Sequence, residues 1–114
     1  MRNDRLFLAD IVDSIEAIER FTVGIDEARF VADELIQSAV LQKLSVIGEA
    51  AGRLSEETRA QAAEVPWKEI IGFRNIAVHA YFSVDWRIVL VTVTDDLPVL
   101  KRSVATLLDA LPAG

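Results

Sequence analysis

The sequence contains no cysteine, and this absence removes several kinds of chemistry. The chain can form no disulfide bond, it has no thiolate nucleophile, and it cannot build a zinc site from cysteine ligands. Asp10 and Asp13 soon interrupt the apolar residues near the N-terminus, which is not the pattern of a signal peptide. We therefore expect a protein of the reducing cytoplasm.

Positive charge is also scarce, with 12 Lys and Arg residues against 18 Asp and Glu residues and a formal net charge of −6. Broad attraction to nucleic acid depends on clustered Lys and Arg, so any RNA chemistry must rely on a local basic site. No apolar run approaches the roughly 18 residues that cross a bilayer. The sequence also lacks a glycine-rich phosphate loop, a GxSxG motif and a cluster of histidine and carboxylate ligands. We expect no membrane span, no cofactor and no bound metal.

Apolar residues are abundant, at 52% of the 114 residues. This length is typical of one compact domain, and we expect residues 1–114 to form a single helical domain. An excess of apolar residues in a small helical protein favours a buried interface with another subunit.

Apolar residues recur at helical spacing along most of the chain and predict an all-α, up-and-down bundle of four to five helices. Residues 89–93 are rich in β-branched side chains and could alone form a strand, but the longer pattern around them favours a helix. Pro98 is expected to kink the last helix near residue 94. The predicted helices cover residues 4–21, a segment with an apolar stripe from Ile36 to Leu54, residues 56–63, a segment that begins near Pro66, and one from Ser83 or Asp85 to Leu111.

Glycine and aspartate residues mark the boundaries and contacts of these helices. Gly24 offers a break after the first helix, and Asp26 or Asp33 could cap the second. Gly48 and Gly52 lie one turn apart inside the second helix, where each costs about 1 kcal/mol of helix propensity relative to alanine. We therefore expect another backbone to pack closely against them.

The only histidine and the only tyrosine of the chain lie in the eight residues from Arg74 to Tyr81, which read Arg-Asn-Ile-Ala-Val-His-Ala-Tyr. This run falls in the second half of the helix that begins near Pro66. His79 is the first candidate for an acid–base group at neutral pH. Arg74 could hold a phosphate, and Asn75 could orient the phosphate or the imidazole.

The spacing within this run favours a paired site. On a straight helix Asn75 and His79 share a face, whereas Arg74 and His79 diverge by roughly 140°. They can converge if the helix ends near His79, or if a two-fold axis brings in the same segment of a second subunit. Two imidazoles in one cleft could then act as base and acid in metal-independent RNA cleavage, giving a 2′,3′-cyclic phosphate. Tyr81 could hydrogen-bond a phosphate or stack on a base.

The two charged residues of this run also have purely structural explanations. His79 could be a cation that stabilises the C-terminal end of its helix. Arg74 could form a salt bridge with Glu49, Glu69 or Asp85.

Structural roles are open for the other polar and aromatic residues as well. Tyr81 could be a half-buried aromatic residue with a solvated hydroxyl, and Asn75 could be a polar interface residue. Trp67 and Trp86 are expected to be core or interface anchors that need no ligand.

Three segments of the chain resemble the HepT-like branch of the HEPN superfamily. They are residues 46–51 (Val-Ile-Gly-Glu-Ala-Ala), residues 65–72 (Val-Pro-Trp-Lys-Glu-Ile-Ile-Gly) and residues 74–81, in which Arg-Asn is followed after three residues by His-Ala-Tyr. The resemblance covers nearly the whole chain in length, helix order and motif position.

This resemblance implies an all-α homodimer in which two copies of the motif face one cleft, acting as the ribonuclease toxin of a toxin–antitoxin system. Arg74 and His79 would be the ribonuclease pair, with Asn75 as the supporting polar residue and Glu49 as a partner of Arg74. The antitoxin would be an MNT-domain nucleotidyltransferase that attaches AMP to the hydroxyl of Tyr81. That modification would place bulky negative charge in the cleft and block RNA.

Two other functions stay open from the sequence alone. The acidic composition favours a non-catalytic subunit that binds a nucleotide, or that serves as the partner or substrate of a nucleotidyltransferase. The third possibility is a structural helical dimer without chemistry.

Overall fold

A computed structural model describes residues 3–79 and 83–112, apart from the side chains of residues 77–79. These residues form helices and connecting turns with no β-strand, so the predicted all-α class is confirmed. No helix within these ranges is both long enough and apolar enough to cross a membrane. In chain order the elements are α1 (Asp4–Thr22), α2 (Glu27–Ala32), α3 (Glu34–Arg53), α4 (Glu56–Ala60), α5 (Trp67–Ile71), α6 (Phe73–His79), α7 (Trp86–Val91), a π-helical segment (Thr92–Asp96) and α8 (Leu97–Ala110).

The centre of the fold is made by α1, α3 and α8. α1 packs against both α3 and α8, and α3 also packs against α5 and α6. The contacts come from apolar side chains that repeat every three or four residues, as in α1, where Leu8, Ile11, Ile15 and Ile18 are fully buried. α3 therefore connects the central core to the helix that carries the candidate catalytic run.

Both aspartates that the sequence offers as caps of the second helix are used, Asp33 by α3, which carries the predicted apolar stripe, and Asp26 by the separate short helix α2. Asp26 caps α2 and Asp33 caps α3, each through a side-chain oxygen that accepts a backbone N–H, at 2.8 Å and 3.1 Å respectively. The amide of Gln37 donates to two carbonyls in the last turn of α2, at 2.8 Å each. The break predicted at Gly24 is confirmed, because this residue adopts a φ of +72° that other residues rarely reach.

Asp4 connects the start of α1 to α4. Its carboxylate is buried and accepts hydrogen bonds from the hydroxyls of Ser55 and Thr58, both at 2.6 Å, and from the backbone N–H of Ser55 at 3.1 Å. Burial raises the pKa of Asp4, but these hydrogen bonds together outweigh burial and hold the pKa below its ordinary value. α4 is thus fixed to α1, and it ends at Ala60, three residues earlier than predicted, where turns follow.

The helix predicted to run from near Pro66 through the catalytic run is divided at Gly72. The prediction of one uninterrupted helix is wrong at this point, since Gly72 is a turn residue between α5 and α6. Its carbonyl accepts the backbone N–H of Asn75, three residues later, at 3.0 Å, which is a tighter turn than the α-helical one. The apolar spacing continues through the break and therefore did not reveal it.

The last predicted helix becomes π-helical at residues 92–96, the region where a kink was predicted. Asp85 caps it by accepting a backbone N–H at 3.0 Å, and residues 89–93 are helical. In the π-helical segment the N–H of Leu97 bonds to the carbonyl of Thr92, five residues earlier. Pro98 follows as the second residue of α8, in the first turn, where its missing N–H is tolerated.

Candidate active site

α6 carries the candidate catalytic run on the surface of the fold. Arg74 and Asn75 are exposed, with 54% of the Arg74 side chain accessible to solvent. The backbone of His79 belongs to α6, but its side chain, like all of Tyr81, lies outside the described residues. The structure therefore places the guanidinium and the amide, while the roles of the imidazole and the phenol stay predictions.

Gly48 determines how closely α6 approaches α3. A Cβ atom at this position would lie 2.7 Å from the backbone nitrogen of Arg74 and 2.9 Å from the carbonyl oxygen of Ile71. Both distances are too short for a nonbonded contact, so the approach requires glycine. A Cβ atom at Gly52 would meet only the Ile71 side chain, at 3.6 Å. The predicted close approach of another backbone is confirmed at Gly48, whereas Gly52 faces a side chain at ordinary distance.

Glu49 forms ion pairs with two arginines, Arg74 of the candidate catalytic run and Arg53 beside it. Its Oε1 lies 3.4 Å from Nη1 of Arg74, and its Oε2 accepts a hydrogen bond from Nε of Arg53 at 2.8 Å. The hydrogen bond from Arg53 and the positive charge of Arg74 lower the pKa of Glu49, so Glu49 is a carboxylate at neutral pH. All three side chains are exposed enough for water to screen the ion pairs. Their main effect is to orient the arginines, since exposed ion pairs add little stability.

The sequence suggested three acidic partners for Arg74. Among the described contacts, Glu49 is the one that pairs with it. The neighbouring Gly48 explains this choice, because the contact that brings α6 against α3 also brings Arg74 beside Glu49. Sequence reasoning missed Arg53. The available indication was its position four residues after Glu49 on a helix, which is the spacing of a side-chain ion pair.

Within one chain, α6 places the backbone positions of Arg74 and His79 on different sides of the helix. α6 is helical from residue 73 to 79, so the backbone positions of Arg74 and His79 stand about 140° apart around its axis. Two guanidiniums against one carboxylate leave local positive charge in a chain of net charge −6. Such a site can attract an anionic group such as a phosphate, with the exposed amide of Asn75 as an additional polar contact.

Both tryptophans are structural anchors, as predicted. Nε1 of Trp67 donates to the carbonyls of Arg59 and Ala62, at 3.1 Å each. The ring of Trp86 packs edge-on against Phe30, with the ring centroids 6.1 Å apart. Protein contacts therefore account for both side chains without a ligand.

The fold and the site together define a small all-α domain that carries an exposed arginine, an exposed asparagine and the only histidine of the chain on one helix. The family described as "Ribonuclease HepT-like" matches residues 11–107. The chain belongs to this HepT-like ribonuclease family.

Relatives with ribonuclease names are similar over most of their length. A candidate RNase of Methanocaldococcus jannaschii is 37% identical over 103 residues, which cover 90% of this chain and 94% of the relative. A protein of Thermococcus cleftensis named "Probable ribonuclease HepT" is 39% identical over 100 residues, which cover 88% of this chain and 91% of the relative. A candidate RNase of Caldanaerobacter subterraneus is 35% identical over 108 residues, which cover 95% of this chain and 96% of the relative. No solved structure matches the chain.

Proposed function

We propose that this chain is a metal-independent endoribonuclease and the toxin component of a toxin–antitoxin system. The observation that carries the proposal is the exposed guanidinium of Arg74, which Glu49 orients on the helix that also includes His79, in a chain of a ribonuclease family. An oriented guanidinium suits RNA cleavage because it binds phosphate oxygens and stabilises the charge that develops on them.

In the proposed reaction the imidazole of one His79 removes the proton of a ribose 2′-hydroxyl, and the oxygen attacks the adjacent phosphorus. The bond from phosphorus to the 5′-oxygen breaks, and a second, protonated imidazole gives its proton to this leaving oxygen. The products are one RNA end with a 2′,3′-cyclic phosphate and one with a 5′-hydroxyl. Arg74 stabilises the charge on the phosphate, and Asn75 orients the phosphate or an imidazole.

The proposal takes the two imidazoles from the two subunits of a homodimer. The divergence of Arg74 and His79 around α6 supports this arrangement, because a two-fold axis can bring together groups that one helix holds apart. Apolar side chains that the single chain leaves exposed also support it, since a dimer interface could bury them. They include Leu6, Leu35 and Ile88, at 63%, 81% and 65% exposure.

We further propose that an MNT-domain nucleotidyltransferase silences the toxin by attaching AMP to Tyr81. The phenol oxygen attacks the α-phosphorus of ATP, the bond to the β-phosphate oxygen breaks, and pyrophosphate leaves. The support is the position of Tyr81 two residues after His79 in the sequence. A phosphate attached there adds negative charge that can pair with Arg74 in place of RNA.

Cleavage of a single-stranded RNA in the presence of EDTA tests the catalytic proposal. We expect products with 2′,3′-cyclic phosphate ends from the wild-type protein and no cleavage by His79→Ala or Arg74→Ala. Arg102→Ala changes an exposed arginine on α8 and serves as the control for a general loss of positive charge. Circular dichroism checks that each variant is folded. Cleavage by His79→Ala at the wild-type rate would contradict the proposal.

A non-catalytic subunit that binds a nucleotidyltransferase is the second candidate, and the net charge of −6 favours it. Incubation with ATP and a co-encoded MNT-domain nucleotidyltransferase, followed by mass spectrometry, shows whether AMP is added. We expect the added mass on Tyr81 and none in Tyr81→Phe. Modification of a protein that cleaves no RNA would favour the second candidate, and an unmodified Tyr81 would overturn the proposed silencing.

A further inference from the structure

Arg53 is an exposed guanidinium beside the candidate catalytic run, and the proposed reaction gives it no role. It is the last residue of α3, its side chain is 62% exposed, and it shares the carboxylate of Glu49 with Arg74. Among the described contacts, Glu49 takes only its Nε–H. A guanidinium has five N–H donors, so four of them stay available for a ligand.

Open space adjoins the side chains of Glu49 and Arg53 at the C-terminal end of α3. Glu49 and Arg53 help to line a groove of about 640 Å³ between α1 and α3. The carboxylate of Asp10 also lines the groove, and the remaining lining is apolar or uncharged polar, from Phe7, Leu41 and Ser45 among others. A ribose and its phosphate can therefore approach Arg53 from the groove without displacing other parts of the described chain.

We propose that Arg53 binds an RNA phosphate next to the one held by Arg74. The proposal rests on single-stranded RNA being the substrate. Glu49 binds Arg53 through one carboxylate oxygen and Arg74 through the other, which fixes the two guanidiniums relative to each other. Two guanidiniums held this way can bind consecutive phosphates of a flexible strand, and Arg53 would thereby set the position of the RNA along the site.

The acidic charge of the chain makes this inference measurable. A protein of net charge −6 has little diffuse attraction for RNA, so its affinity depends on a few direct phosphate contacts. Each such contact releases counterions, and for single strands it changes the slope of log affinity against log salt concentration by about 0.7. An ordinary surface salt bridge between Arg53 and Glu49 would leave that slope unchanged.

The experiment measures binding of a labelled single-stranded RNA by fluorescence anisotropy over a series of KCl concentrations, in a His79→Ala background that prevents cleavage. We expect Arg53→Gln to weaken binding about tenfold at low salt and to reduce the slope by about 0.7. Arg53→Lys keeps the charge and should retain most of the slope. Arg29→Gln is the matched control, because Arg29 is an exposed arginine that pairs with a carboxylate four residues away on the chain, as Arg53 does.

An unchanged slope in Arg53→Gln, or an equal change in Arg29→Gln, overturns the role of Arg53. Either result can occur while the wild-type protein cleaves RNA. In that case the role of Arg53 fails and the proposed ribonuclease function is unaffected. Conversely, the expected slopes in a protein whose wild type cleaves nothing support the role of Arg53 in binding and overturn the ribonuclease proposal. Absence of RNA binding by the His79→Ala parent and the wild type overturns both.

Discussion

The carboxylate of Glu49 faces two guanidiniums, and its charge affects both the affinity and the geometry of the site. It offsets part of the positive charge of Arg53 and Arg74, which would weaken the attraction for RNA that we propose for them. It also restricts where Arg74 can point, which in the proposed reaction would help to place a phosphate. Binding and catalysis should therefore respond in opposite directions when this charge is removed.

Glu49→Gln tests this separation. We expect kcat for RNA cleavage to fall about tenfold because Arg74 loses its orienting partner, and KM to fall because a negative charge is removed. Steady-state kinetics on a short RNA give both constants. Glu27→Gln removes a carboxylate from another exposed ion pair, with Arg87 at 2.9 Å, and should change neither constant. An unchanged kcat in Glu49→Gln would show that Arg74 needs no partner.

Asp4 gives a second prediction, on stability and its pH dependence. Its pKa is lowered in the folded chain, so its carboxylate stabilises the fold above the ordinary carboxyl pKa of about 4. That contribution is lost as the pH falls from there through the lowered pKa. We expect Asp4→Asn to reduce the free energy of unfolding at neutral pH by about 1–3 kcal/mol.

Urea unfolding over a pH series measures this effect. Wild type should lose more stability than Asp4→Asn on acidification below about pH 4, because only the wild type has this carboxylate to protonate. Asp13→Asn, at an exposed position on α1, should behave like wild type. An equal loss of stability on acidification in wild type and Asp4→Asn would contradict the lowered pKa of Asp4.

The sequence limits the acidic partners of Arg74 to a few residues, but the spacing of these residues does not identify which one forms the ion pair. Spacing and charge leave Glu49, Glu69 and Asp85 open as partners of Arg74, and only the family resemblance favours Glu49, because ion pairing between distant residues depends on which helices pack together. That packing is decided by the absent side chain of Gly48. Arg53 was missed for a related reason, since its spacing from Glu49 is common on helical surfaces and gains meaning only when Arg74 lies beside it.

At the scale of elements, the contact between α3 and α6 positions the candidate site. α6 lies against α3 at Gly48, where backbone atoms of Arg74 and Ile71 occupy the space of a Cβ atom. Backbone atoms cannot move aside as a flexible side chain can. Any side chain at Gly48 must therefore displace α6 together with Arg74.

Gly48→Ala should destabilise the fold by about 1–3 kcal/mol and reduce RNA cleavage, because the added methyl group overpacks this contact. Gly52→Ala is the control one turn away, where a Cβ atom has an ordinary contact. It should increase stability by up to about 1 kcal/mol through helix propensity. Thermal unfolding and the cleavage assay on both variants check this. Equal stability of the two variants would argue against the close approach.

The long helices could be predicted because their apolar residues repeat over many turns, as the stripe in α1 shows. The boundaries were harder to predict. The break at Gly72 lies within continuous helical spacing, and the division between α2 and α3 depends on two competing caps, Asp26 and Asp33. Local hydrogen bonds decide such breaks, and a pattern of apolar residues does not contain them.

At the scale of the whole molecule, the proposed function needs a second copy of the chain. One chain presents Arg74 on an exposed surface, and the backbone positions of Arg74 and His79 lie about 140° apart around the axis of α6. A homodimer would close the site and supply the second imidazole that general acid catalysis requires. In the proposed mechanism each cleavage event therefore uses His79 from both subunits.

Co-expression of wild-type and His79→Ala chains in equal amounts, followed by measurement of the RNA cleavage rate, tests this claim most directly. Random pairing leaves about a quarter of the dimers with two wild-type subunits. If both histidines are needed, the rate should fall to about a quarter of that of the same total amount of wild-type protein. A rate of about a half, in proportion to the wild-type chains, would mean that each subunit cleaves RNA with its own His79 and would contradict the paired site.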